Sequence, residues 1–173
     1  MVQIQESVKT RIIYNYSYLY QASLFSFKLS QENEYGRLYY YLNSIVMISF
    51  TFEAYLNHCG ENILEYWEDI DRVKTINKLN IILKTLSINL DKSKRPYQTI
   101  KDLIKIRNLL AHARTEIISH RLDRFPDSEW EKRCNKKTIK KYISDVESII
   151  KMIHKKAFKE EEPFSVLSFG YLE

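Results

Sequence analysis

Between Gly36 and Gly60 the chain runs without a glycine or proline, and Leu38, Leu42, Ile45, Phe52, Leu56 and Cys59 recur there at helical spacing. Val46, Met47, Ile48 and Phe50 put apolar side chains on the remaining faces, so the middle of the segment is apolar around its whole circumference. Such a helix is stable only when other helices surround it. Residues 37–59 are therefore expected to form the buried centre of a bundle, with Gly60 as the C-terminal cap. Three glycines and three prolines in 173 residues leave little of the turn chemistry that a β fold needs. The expectation is an all-α, single-domain bundle of about five helices across residues 1–173.

The remaining helices follow from the same periodicity. Ile4, Val8, Ile12, Tyr16, Leu19 and Phe27 predict a helix over 4–29. A broken helical region over 62–87 carries Ile63, Leu64, Tyr66 and Trp67 in its first part and Val73, Ile76, Leu79, Ile82, Leu83 and Leu86 in its second. Glu65, Glu68, Asp69 and Asp71 lie between the two parts and read as a solvated turn. Pro96 predicts a helix start near Tyr97, and Ile139, Tyr142, Val146, Ile149, Ile150 and Ile153 predict a last amphipathic helix over 135–157. Residues 113–134 are polar and aperiodic, a basic loop, and the tail from about 158 to 173 turns from acidic to apolar. The thirteen tyrosines are assigned mainly to packing in the core and at its boundary.

Charge divides the chain into two unequal halves. Residues 1–86 carry eight lysines and arginines against nine acids, whereas residues 87–173 carry nineteen against thirteen. That basic half suits a polyanion such as RNA. Cys59 and Cys134 stand far apart, outside any metal-ligand spacing, which points to free thiols, a reduced compartment and no zinc site. The first residues include Glu6, Lys9 and Arg11 with no apolar signal core, and the run Ile45 to Phe52 is much shorter than the ~20 residues of a membrane span. A cytoplasmic location without membrane contact is expected.

Chemistry interrupts the apolar pattern once, over Ile106-Arg107-Asn108-Leu109-Leu110-Ala111-His112. Arg107 falls on the stripe formed by Ile100, Leu103, Ile104, Leu110 and Ala111, so its guanidinium is partly desolvated. It then needs either a carboxylate partner or a cleft in which a phosphate supplies the negative charge. Glu53, an acid in apolar company on the central helix, is the first candidate partner. Asn108 and His112 share a helix face, whereas Arg107 and His112 lie about 140° apart around the axis. A second copy of the chain brings Arg and His together more naturally, which favours a homodimeric site.

The Arg107-Asn108-x3-His112 pattern resembles the Arg-x4-His signature of the HEPN superfamily (higher eukaryotes and prokaryotes nucleotide-binding), particularly its prokaryotic ribonuclease toxins. The segment Ser49 to Asn57 resembles the central helix that precedes the motif helix in such proteins. The resemblance implies an endoribonuclease, a toxin or phage-defence effector, that needs no metal or other cofactor. In it the ribose 2′-hydroxyl attacks the adjacent phosphate, His112 exchanges the proton, Arg107 stabilises the phosphorane and Asn108 positions the phosphate or the imidazole. A cognate antitoxin protein is a further implied partner. Extended forms of the motif have an acid five residues before the Arg, here Asp102, and a Lys just before it, where Ile106 stands and Lys105 is one residue early. Some toxins carry a Tyr two residues after the His; here it is Arg114. Arg114 with Lys136, Lys137 and Lys140, at the start of the last helix, are the candidate RNA-binding cations. Arg114 and His120 also fit a looser spacing of the motif. The competing expectation is a non-catalytic HEPN-like dimer that binds RNA, nucleotide or protein and uses Arg107 structurally.

Overall fold

The computed structural model describes residues 12–117, 127–159 and 162–164. Within them the chain is all-helical: α1 (Asn15–Glu32), α2 (Arg37–Ile63), α3 (Trp67–Ile70), α4 (Thr75–Thr85), α5 (Tyr97–Ala111), a 3-10 turn (Glu131–Arg133) and α6 (Lys136–Phe158). None of these helices is long and apolar enough to cross a membrane.

α2 is the central helix and touches each of the other five. Ile45, Ile48, Phe52, Tyr55 and Leu56 are fully enclosed on it, against Leu79 and Ile82 of α4, Ile100, Leu103 and Ile106 of α5, and the Ile139, Tyr142, Val146, Ile149, Ile150 and Ile153 face of α6. Burial is incomplete around its circumference. Val46 and Met47 are half-buried and Phe50 is 39% exposed, its ring 5.9 Å from the Arg107 guanidinium. Leu38, expected on the buried face, is also exposed near the start of the helix.

α1 departs from its expected form in two ways. It begins at Asn15, with Ile12 exposed and outside the helix, while Ile4 and Val8 lie outside the described residues. Its buried face is largely serine: Ser17, Ser23, Ser26 and Ser30 accompany Tyr16 and Tyr20. The Ser23 hydroxyl donates to the Ser44 carbonyl at 3.0 Å, and Asn43 donates to the Ser26 hydroxyl at 2.5 Å. Small hydroxyls let the two backbones approach closely and satisfy one another sideways, a seam that apolar periodicity cannot register. The described part of the tail docks here, with the Phe164 ring stacked 4.1 Å from that of Tyr20.

Gly60 is not a cap. α2 continues to Ile63, and the Leu64 amide closes its last turn on the Gly60 carbonyl at 2.9 Å. What requires glycine is the buried Trp67 indole, which lies far inside van der Waals contact of any side chain at position 60. The chain then makes the one-turn α3 and reaches α4, so the 62–87 region is broken as its pattern suggested, but residues 62–63 complete α2 instead of starting it. Asn135 caps α6 by accepting the Thr138 amide at 2.9 Å. Residues 113–117 and 127–130 lack helix, consistent with a loop, and 118–126 lie outside the described residues.

Gly60→Ala tests the contact with Trp67. Alanine gains about 1 kcal/mol in helix propensity, yet overpacking a rigid buried ring costs about 1–3 kcal/mol. The expected outcome is a net loss of stability in urea denaturation; equal or greater stability refutes the role given to Trp67.

Candidate functional site

The apolar anchoring of α5 explains how it tolerates a charge on its inner edge. Ile100, Leu103 and Ile106 are fully buried, each contributing about 2 kcal/mol, while Arg107 stays 20% exposed at the boundary. Ile106, outside the expected stripe, is fully buried, whereas Ala111, expected on it, is exposed at the helix end.

Arg107 is held from three sides. Its Nη2 donates to Glu53 Oε2 of α2, its Nη1 donates to the Asn108 side-chain oxygen at 3.0 Å, and its guanidinium stands 5.9 Å from the Phe50 ring centre. Two of the five N–H donors are thereby used, and three have no protein partner among the described residues. Glu53 is shared: Lys78 Nζ of α4 lies 3.9 Å from its other oxygen and donates to Asn57 at 2.7 Å. Lys78, 4% exposed, sits under the same carboxylate and over the Trp67 ring. Its signal in the sequence was its place on the buried stripe of α4 with Thr75, Leu79 and Ile82.

Beside Arg107 opens a cleft of about 560 Å³ between the start of α4 and the outer face of α5. Among the described residues Arg72, Lys74, Lys101, Lys105 and Arg107 line it, against the one carboxylate of Glu53. A second cleft, of about 540 Å³, holds His112 with Leu109, Glu116 and Glu129. Lys105 and Asn108 border both. Asn108 and His112 thus share a cleft, as their one-turn spacing predicts, whereas Arg107 and His112 open into different ones within a single chain. α5 ends at Ala111, and the exposed His112 follows as its C-cap, its amide bonded to the Asn108 carbonyl at 3.1 Å.

The other expected site residues lie elsewhere. Asp102 faces away from Arg107, as a five-residue offset of about 140° requires. It accepts the Tyr142 hydroxyl at 2.6 Å and Arg133 Nη2 at 3.3 Å, tying α5 to α6 and the 3-10 turn. Arg114 is exposed beyond α5, and Lys136, Lys137 and Lys140 are exposed on the first turns of α6; none of the four lines either cleft. His120 lies outside the described residues. Arg72, Lys74 and Lys101, which do line the Arg107 cleft, carry no motif and come from segments far apart in sequence. Among the described residues no cluster could hold a metal ion. Cys59 is buried, which pushes its thiol up to about 12, and the adjacent His58 packs among Tyr14, Tyr16 and Phe158.

No protein-family model matches this chain, and comparison with curated proteins and with solved structures finds no match either.

Removing the shared carboxylate strands two partly buried cations. Glu53→Ala is expected to cost about 2–4 kcal/mol in urea denaturation, and Lys78→Met in the Glu53→Ala background to recover part of it; an unchanged midpoint for Glu53→Ala refutes the shared pair.

On the α6 side, burial raises the Asp102 carboxyl, but the Tyr142 hydroxyl and the Arg133 guanidinium outweigh it and hold it below its usual value. Its folded value being the lower one, the stabilisation is complete above the ordinary carboxylate value of about 3.9 and is lost as pH falls through the folded value. The advantage of wild type over Asp102→Asn is expected to shrink below about pH 4, read as the difference between their urea midpoints across the acid range. A difference that stays constant down to the acid limit contradicts this.

Proposed function

We propose that this chain is a metal-independent endoribonuclease of HEPN type, acting on RNA as a homodimer in the cytoplasm, as a toxin or defence effector that a partner protein restrains. One observation carries the reading: Arg107 is fixed at the edge of a cationic cleft with three N–H donors that have no partner among the described residues and can meet phosphate oxygens. In the proposed reaction the ribose 2′-oxygen forms a bond to phosphorus and the bond to the 5′-oxygen breaks, leaving a 2′,3′-cyclic phosphate. His112, exposed at the end of α5, moves the proton, and the held guanidinium meets the charge that builds on the phosphorane. DNA, which lacks the attacking hydroxyl, is not cut. A second chain related by two-fold symmetry brings one copy's His112 to the other's Arg107, supplying what the two separate clefts lack in one copy.

A second reading is favoured by the ion pair itself. Arg107 is already matched by Glu53, and His112 opens into a different cleft, an arrangement that suits a non-catalytic module binding a polyanion.

The test is cleavage of mixed RNA with chelator present by wild type, Arg107→Ala and His112→Ala, reading the terminal phosphate. Each substitution is expected to lower the rate by at least about a hundredfold, with 2′,3′-cyclic ends from wild type. Full activity in His112→Ala, or a requirement for divalent metal, defeats the mechanism, and inactivity of wild type leaves the binding module.

A further inference from the structure

We infer that the cleft between the start of α4 and the outer face of α5 is a phosphate subsite, which holds backbone phosphates of a single nucleic-acid strand through charge, without reading base or sugar. This deepens the reading above and rests on its polyanionic substrate, though not on cleavage.

The charge balance of the cleft leads to it. Lys101 and Lys105, one turn apart on α5, face Arg72 and Lys74 from the segment before α4, and Arg107 closes one end. Among the described residues no carboxylate lies within ion-pair distance of Arg72, Lys74, Lys101 or Lys105, and Glu53 is already engaged by Arg107 and Lys78. Like charges around one hollow repel one another within a Debye length of about 8 Å. A bound polyanion removes that cost and releases the counterions the strand brings with it.

The lining also selects the ligand. Among the described residues it contains no aromatic side chain, so none of them stacks on a base, and its one carboxylate is already ion-paired. Thr75 and Ile76, in the first turn of α4, form part of the wall, and no side chain caps that helix, so its positive end adds to the field of the cations. The volume of about 560 Å³ falls in the usual range of ligand clefts. Lys105 and Asn108 line both this cleft and the one holding His112.

The test uses the full chain carrying His112→Ala, so that binding is measured without cleavage. Arg72→Gln, Lys74→Gln and Lys101→Gln are combined and compared with a charge-matched control combining Lys84→Gln, Lys156→Gln and Lys159→Gln, all exposed and none in the cleft lining. Fluorescence anisotropy follows single-stranded RNA and DNA of one base sequence, about 12 nucleotides long, between about 0.05 and 0.2 M KCl. Three lost phosphate contacts flatten the log-log salt slope by about two and weaken binding at least about tenfold for both strands alike, while the control keeps its slope within about half a unit of the parent. A cleft variant that binds like the control overturns the subsite. A strong preference for RNA over DNA, lost in the cleft variant, overturns recognition by charge alone. Tight binding of ATP with no binding of either oligonucleotide overturns the strand in favour of a free nucleotide. The two readings fail separately: wild type that cleaves RNA beside a cleft variant that binds normally removes only the subsite, and wild type that never cleaves beside a cleft variant that loses binding removes only the nuclease.

Discussion

One carboxylate on the central helix joins three elements. Glu53 of α2 receives Arg107 from α5 and faces Lys78 from α4, and Asn57, one turn further along α2, holds the lysine in place. Charges at this depth cost several kcal/mol each to desolvate. The arrangement persists because the enclosed isoleucines and leucines around it supply comparable stabilisation, about 2 kcal/mol per side chain. What the pair contributes is direction. Without Glu53 the long guanidinium has no reason to lie along the edge of the cleft, and with it two of its donors are committed and, among the described residues, three stay open.

The two sides of α5 treat charge in opposite ways. Toward α6, cations meet carboxylates directly: Asp102 takes Arg133, which also faces Glu129, and the Tyr142 hydroxyl, and Asp145 takes Arg95 through two bonds of 2.8 Å. Burial raises the Asp145 carboxyl, but the hydrogen bonds from Arg95 and Thr99 outweigh it and leave it low, the same balance as at Asp102. Toward α4, among the described residues, five cations surround one carboxylate. Neutralised charge fastens one side of the helix to the bundle, while unneutralised charge on the other side creates a field that reaches solvent. Loosely packed cations on an open wall contribute little to stability, so the imbalance has its effect on what approaches the protein.

Much of the frame was legible because helical periodicity is a property of a single segment. The enclosed face of α2, the start of α5 at Tyr97 and the last helix all follow from spacing and from the chemistry of helix starts. The Glu53–Arg107 contact was legible for a related reason: each is the charged residue at the edge of an otherwise apolar helix face, and a charge there must find its opposite. Where the pattern misled, another force had replaced apolar burial. Serine hydroxyls join α1 to α2, and the glycine that looked like a helix stop makes room for an indole.

The sequence by itself determined an all-helical bundle, a desolvated arginine with an acid to meet it, and an exposed basic half, because propensity, periodicity and charge are local quantities. Only the tertiary structure decided that Asp102 belongs to Tyr142 and Arg133, that Lys78 shares Glu53, and that Arg72, Lys74 and Lys101 join Arg107 at one cleft while His112 faces another. Each of those depends on which helix covers which face. That is set by the packing of side chains from distant parts of the chain, and no spacing within one segment encodes it.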